Sequence, residues 1–192
     1  SIRLATNAAL QNSAVGVGID GGLTFSTGVN APVLGALSGT GNVNLVDDSG
    51  AAVILSVGNG NVATSYGGVL SGPGGLIKVG TGTLTLFNTN TYTGGTTIAA
   101  GMLVVAGTTG SFTGNVASAG TMIFSRSDAY VFDGLISGTG GVRQTGTGTL
   151  ILTQANTYSG TTTNSAGSIR LANTYALQDS TVSVLVVDGG LT

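Results

Sequence analysis

Apolar residues recur at every second position in short runs along the chain, as in Thr83-Leu-Thr-Leu86, Met102-Leu-Val-Val105, Thr149-Leu-Ile-Leu152 and Ser168-Ile-Arg-Leu171. Two is the period of a β-strand, whose successive side chains point to opposite faces. The pattern directs Leu84, Leu86, Leu103, Val105, Leu150, Leu152, Ile169 and Leu171 into a core and leaves Thr83, Thr85, Ser168 and Arg170 outside. Ile2-Arg3-Leu4 opens the chain with the same arrangement. Corners rich in Gly or Asn separate the runs: Gly72-Pro-Gly-Gly75, Gly80-Thr-Gly82, Asn88-Thr-Asn90 and Gly94-Gly95. Tight bends and positive φ cost little there. Nothing reads as a helix, so the chain is predicted to be all-β.

The runs belong to a longer repeat. Residues 71–105 align without gaps to residues 137–171, with 18 identities over 35 positions and a constant offset of 66. A degenerate copy begins at Ser38-Gly-Thr-Gly-Asn-Val43, at an offset of 33 before Ser71, which makes half of 66 a structural sub-period and places repeat copies near 38–70, 71–105 and 137–171. The ends repeat each other as well. Ser1-Ile-Arg-Leu-Ala5 and Asp20-Gly-Gly-Leu-Thr24 return as Ser168-Ile-Arg-Leu-Ala172 and Asp188-Gly-Gly-Leu-Thr192, so that 1–24 matches 168–192 at an offset of 167, then 168.

A sandwich or an antiparallel barrel has short strands but no reason for gapless self-similarity, whereas a stack of equivalent coils supplies one. The expectation is a right-handed parallel β-helix, or β-solenoid, spanning 1–192 as a single segment, the hand following from the crossover preference of parallel strands. With coils of about 22 residues, 66 is three coils and the chain holds roughly nine, about 40 Å of rod at the usual strand spacing. Stacking would set Asn90-Thr-Tyr92 and Asn156-Thr-Tyr158 in equivalent places, as side-chain ladders or as turn Asn with half-buried Tyr.

Ser71-Gly-Pro-Gly-Gly-Leu-Ile-Lys-Val-Gly-Thr-Gly-Thr-Leu-Thr-Leu86, followed by Asn90-Thr-Tyr-Thr-Gly-Gly-Thr-Thr97 and Ala100-Gly101, resembles the autotransporter-associated β-strand repeat, also called the passenger-associated transport repeat. Residues 137–171 fit it too, and the lead-in Gly120–Gly134 looks like the segment that often precedes the motif. The resemblance implies a β-helical passenger of a large exported protein, displayed outside an outer membrane and usually threaded through a C-terminal barrel. Two departures stand out: Asp47-Asp48 interrupts the first copy, and Thr161 takes the place of the second Gly of Gly94-Gly95.

Composition narrows the chemistry. Charged residues make up 6% of the chain, Gly supplies 35 of 192 residues, and Cys, His, Trp and Glu are absent. Disulfides, thiolate nucleophiles and imidazole chemistry are thereby excluded, and stability must come from packing and backbone hydrogen bonds. Five scattered cations (Arg3, Lys78, Arg126, Arg143, Arg170) and a net charge of −2 form no patch for nucleic acid. No long apolar run suggests a membrane-spanning segment, and Ser1-Ile-Arg-Leu4 is not the start of a signal peptide, so an internal fragment of a longer array is expected.

The seven Asp residues are the only acids. Asp47-Asp48 is the best candidate for a weak calcium contact, but adjacent strand residues point to opposite faces and a solvated turn is the simpler expectation. Asp128 and Asp133 with Arg126, or Asp47 with Asp48, are the residues a polysaccharide-degrading β-helix would use. Gly16-Val-Gly-Ile-Asp-Gly21 matches a dinucleotide fingerprint, but no helix follows it. Thr81, Thr83, Thr85, Thr147 and Thr149 suggest outward threonine rows, broken where Ile151 stands for Thr85. No catalytic, cofactor-binding or metal-binding residue is assigned. The expected role is a non-enzymatic extracellular or cell-surface rod, spacer or adhesin stalk. Its neighbours would be further repeats or copies of itself stacked end to end, with surface glycans or other cells as contacts. A filament subunit is the alternative, and a polysaccharide-degrading enzyme the lesser one.

Overall fold

A computed structural model describes residues 1–184, so the returning tract Asp188–Thr192 lies outside the described residues. Twenty-two strands and no helix are found among the described residues. Strand pairs there are parallel throughout, and the isolated bridge Val46↔Ala52 is antiparallel. The structure is a parallel β-solenoid of about nine coils.

Three faces can be followed up the stack. Face A includes Ile54–Val57, Gly75–Lys78, Thr96–Ile98, Val116–Ser118 and Ile136–Gly138. Face B includes Thr64–Tyr66, Thr83–Leu86, Met102–Gly107, Thr121–Arg126, Gly141–Gln144 and Thr162–Asn164. Ala129–Phe132, Thr149–Leu152 and Ser168–Leu171 form the upper part of face C. Faces A and B are joined through Val33–Gly39, which pairs with strands of both.

One register column on face B measures the coils. Val17, Gly39, Tyr66, Leu86, Val105, Phe124, Gln144, Asn164 and Val184 are successive partners. The longest step, from Gly39 to Tyr66, carries the extra turn closed by Val46↔Ala52, which interrupts the first repeat copy. The six steps from Tyr66 onward are evenly spaced, and each is shorter than the coil expected from the repeat. That difference changes what the offset of 66 means.

Three coils above Leu86 the column reaches Gln144, whereas the repeat counterpart of Leu86 is Leu152, already on face C. Leu76 behaves in the same way: it stacks with Thr96, Val116 and Ile136 on face A, while its counterpart Val142 lies on face B. The two copies are thus related by three coils and one further face, not by three coils, and half of 66 is not a structural sub-period. For the same reason Asn156 does not stack over Asn90, nor Tyr158 over Tyr92. Tyr92 instead stacks on Phe112, with ring centroids 6.2 Å apart, and Phe112 meets Phe132 edge-on at 5.8 Å.

Alternation places the core as expected. Leu84, Leu86, Leu103, Val105, Leu150, Leu152 and Ile169 are buried, and Leu171 is half-buried. Ile2 departs from the pattern at 44% exposed, although Leu4 is buried. Glycine is required where coils turn from face A to face B. Gly101, Gly120, Gly140 and Gly160 climb that corner, and a Cβ on each would lie 2.1–2.5 Å from the carbonyl oxygen of the glycine one coil below. Gly140 has an ordinary φ, so close approach alone excludes a side chain there.

Gly140→Ala is expected to destabilise the chain by about 2–3 kcal/mol in denaturant unfolding, the scale of an overpacked interior site. Gly18→Ala, where nothing lies within 4 Å of the added methyl, should stay within about 0.5 kcal/mol of the parent. Equal effects would remove the corner argument.

Candidate functional site

The polar landmarks of the repeat turn out to be interior fasteners. Asn90 Oδ1 accepts from the Leu70 amide at 2.9 Å in the coil below, and its Nδ2 donates to Asn88 O at 2.8 Å and to Ser111 O at 3.0 Å in the coil above. Asn156 does the same on another face: Oδ1 accepts from the Ile136 amide at 2.8 Å, and Nδ2 donates to Gln154 O at 3.1 Å and Ala176 O at 3.0 Å. An apolar side chain at either site would take from a buried amide of the coil below, Leu70 or Ile136, the acceptor it bonds, at a cost of about 1–3 kcal/mol. The Tyr and Thr of the motif pair as well, with Tyr92 OH to Thr96 Oγ1 and Tyr158 OH to Thr162 Oγ1 both at 2.6 Å. Burial raises the pKa of both phenols.

Lys78, read from sequence as one more scattered cation, is fully buried. Its ammonium donates to Val79 O at 2.6 Å, Gly80 O at 2.9 Å and Ala100 O at 3.4 Å, and burial lowers its pKa. Gln144, its counterpart in the other copy, donates Nε2 to Gly146 O at 3.2 Å and Gly148 O at 3.0 Å. Both side chains satisfy corner carbonyls that turn inward where the strand ends. The available signal was positional: each occupies an inward-pointing place shortly before a corner glycine, Gly80 or Gly146.

The carboxylates do not converge. Asp47 Oδ1 accepts from Ser49 Oγ at 2.6 Å and from the Ser49 and Ala51 amides at 2.9 and 3.0 Å, while Oδ2 accepts from the Gly28 amide at 2.8 Å. These donors, the Ser49 hydroxyl foremost, pull its pKa from 3.8 to about 2. Asp48 points elsewhere and pairs with Arg3. The expected solvated turn is therefore half right, since Asp47 is a buried staple of that turn. Arg126 is buried too, grips Asp128 through Nε at 2.9 Å and Nη2 at 2.7 Å, donates to Gly110 O and Thr108 O, and covers the Tyr130 ring at 4.5 Å. The Arg126 hydrogen bond holds Asp128 below the usual carboxylate range. Asp133 is exposed. Among the described residues, no three acids, His or Cys gather where a metal ion would sit.

The outer surface is low in charge. The threonine rows end after one coil, because Thr83 is followed by Met102 and Thr85 by Val104 in the next. Gly16–Gly21 leads from a strand into a turn, with no helix after it. An open groove of about 630 Å³ runs along the A–B corner, lined by Gly120, Gly140, Gly160, Thr139, Thr161 and Arg143 among others.

Residues 76–105 and 142–171 each match the passenger-associated-transport-repeat family. Each match runs from a strand on one face, through the Asn-Thr-Tyr fastener, to a strand on the next face one coil up. An autotransporter adhesin of Brucella suis biovar 1 (strain 1330), BmaC, is 40% identical over 128 residues, covering 62% of this chain and 4% of that protein. The chain thus spans a small part of the relative it resembles. No solved structure matches it.

Because Asp47's pKa is depressed in the folded state, its contribution to stability is present above 3.8 and is lost as the pH falls towards about 2. An acid titration of unfolding should show a stability loss over this window that Asp47→Asn removes. An unchanged acid limb in that variant would mean the Ser49, Ala51 and Gly28 contacts do not hold the carboxylate.

Proposed function

We propose that the chain is a rigid, non-enzymatic stalk segment of an exported surface adhesin of the autotransporter type, held outside the cell with its coils stacked on neighbouring repeats. The observation that carries this reading is the unbroken parallel register from Val17 to Val184, which makes the segment a rod rather than a binding cleft. The two passenger-repeat matches and the adhesin relative support it. So does the use of the polar groups: Asn90, Asn156, Lys78, Arg126 and Asp47 are spent on backbone groups of the coil and its corners. Adhesion in this reading is spread along low-charge faces or held elsewhere in the polypeptide, with surface glycans or other cells as the contacts.

Joined ahead of an autotransporter barrel, the chain should become accessible to external protease and antibody on intact cells, and the purified chain should leave acidic and neutral polysaccharides intact. Retention inside the envelope, or turnover abolished by Asp128→Asn or Asp133→Asn, would overturn the reading.

A further inference from the structure

The groove along the A–B corner lies between coils on both sides. Above it, Ser180 takes the corner place that Gly160 holds one coil below, and its Oγ donates to Gly160 O at 2.7 Å. Below it, the carbonyls of Gly80 and Gly82 lie against Gly101. Part of the hollow comes from the paired glycines Gly140 and Gly141, since Gly141 stands where the coil beneath carries Thr121. A second hollow of about 310 Å³ adjoins the groove on the face-A side and shares Ala119 and Thr139 with it. Its lining is small: Ala99, Ala117 and Gly138 contribute to it. The two make one trough across the corner, apolar at one end and polar at the other.

Among the described residues lining the trough there is one cation, Arg143, and no acid. Arg143 is exposed on face B, between Ile123 in the coil below and Thr163 in the coil above. Its Nε donates to Ser165 Oγ at 3.1 Å, which steadies the guanidinium, while Nη1 and Nη2 have no partner among the described residues. The other cations near acids are already committed: Arg3 pairs with Asp48 and Arg126 with Asp128. Two coplanar N–H groups on a fixed guanidinium match the two oxygens of a carboxylate. The hydroxyls of Thr139, Thr161 and Thr163, all in the groove lining, likewise make no hydrogen bond to the protein among the described residues. A uronic acid has the complementary chemistry, with an apolar ring face, a rim of hydroxyls and one carboxylate. We propose that this trough binds an acidic glycan, with Arg143 Nη1 and Nη2 taking a sugar carboxylate, the threonines meeting sugar hydroxyls, and Ala117 and Ala119 lying against a ring face. This rests on the stalk reading, in which glycans are among the contacts, and names the place on the rod and the class of sugar it holds.

The test titrates an oligogalacturonate into the full purified chain and follows the backbone amide resonances. The same oligosaccharide with its carboxyls reduced to alcohols, and a sulfated oligosaccharide, serve as the other arms. The acidic sugar should shift the amides of Ala119, Thr139, Arg143 and Thr161, and the reduced sugar should not. Arg143→Gln should weaken binding about tenfold or more, the scale of a lost charge-assisted pair. Arg170→Gln removes an exposed cation on face C, outside the trough, and should leave binding unchanged. Ala119→Glu puts an acid between the two hollows and should weaken binding as well, so it decides the matter if Arg143→Gln fails to fold. No binding of oligogalacturonate, binding of the sulfated sugar alone, equal binding of the reduced sugar, or equal losses from Arg143→Gln and Arg170→Gln each overturn the proposal. The measurement uses purified protein, so a failure of surface display would sink the stalk reading while leaving this site standing, and a failure to bind would do the reverse.

Discussion

Hydrogen bonding between successive coils is the constraint on which the rest depends. A parallel coil has no partner within itself, so each of its strands must find its amide and carbonyl partners in the coils on either side, at the strand spacing of about 4.8 Å. That spacing leaves no room for a side chain where backbones meet at a corner, which is why glycines climb the A–B edge one above another. It also exposes inward-turned carbonyls wherever a strand stops. Lys78, Gln144, Asn90 and Asn156 meet those groups from inside the coil. A low charge content is then what the architecture asks for, because stability comes from repetition of backbone bonds and a narrow apolar interior.

The sequence carries two periods that do different things. The shorter repeat is not commensurate with the coil and shifts by one face, so its copies share chemistry without sharing neighbours. Tyr92 packs on Phe112, whereas Tyr158 sits on another face where its Thr162 partner also contacts Ser180. Each copy must therefore be complete in itself: its Asn bridges to whatever backbone lies above and below, and its Tyr bonds its own Thr. The repeat works as a portable fastener that fits any face of the coil. The longer repeat preserves the face, since Val17 and Val184, 167 residues apart, stand in one face-B column.

Much of this was legible in the residues. Period-two runs placed Leu84, Leu103, Leu150 and Ile169 inside, the gapless self-match pointed to a parallel solenoid, and the Gly-rich corners fell where the chain turns. Coil length was not legible, because nothing in a single sequence marks which residues become neighbours one coil apart, and a coil slightly shorter than expected was enough to rotate the repeat by a face. The roles of the polar residues were hidden for a related reason. Lys78 and Arg126 look like surface cations until the corner carbonyls that surround them are in place, and Asp47 looks solvated until Ser49, Ala51 and Gly28 close on it.

The central claim is the parallel column that runs through Tyr66, Leu86, Val105, Phe124, Gln144 and Asn164, and the most direct measurement is the cross-strand nuclear Overhauser network of the chain in solution. The structure predicts contacts between each residue and its neighbour in that column, in the pattern of parallel strands, and none between Leu86 and Leu152. Close Hα–Hα contacts of the antiparallel kind, or direct contacts joining the strands around Leu86 and Leu152, would contradict it.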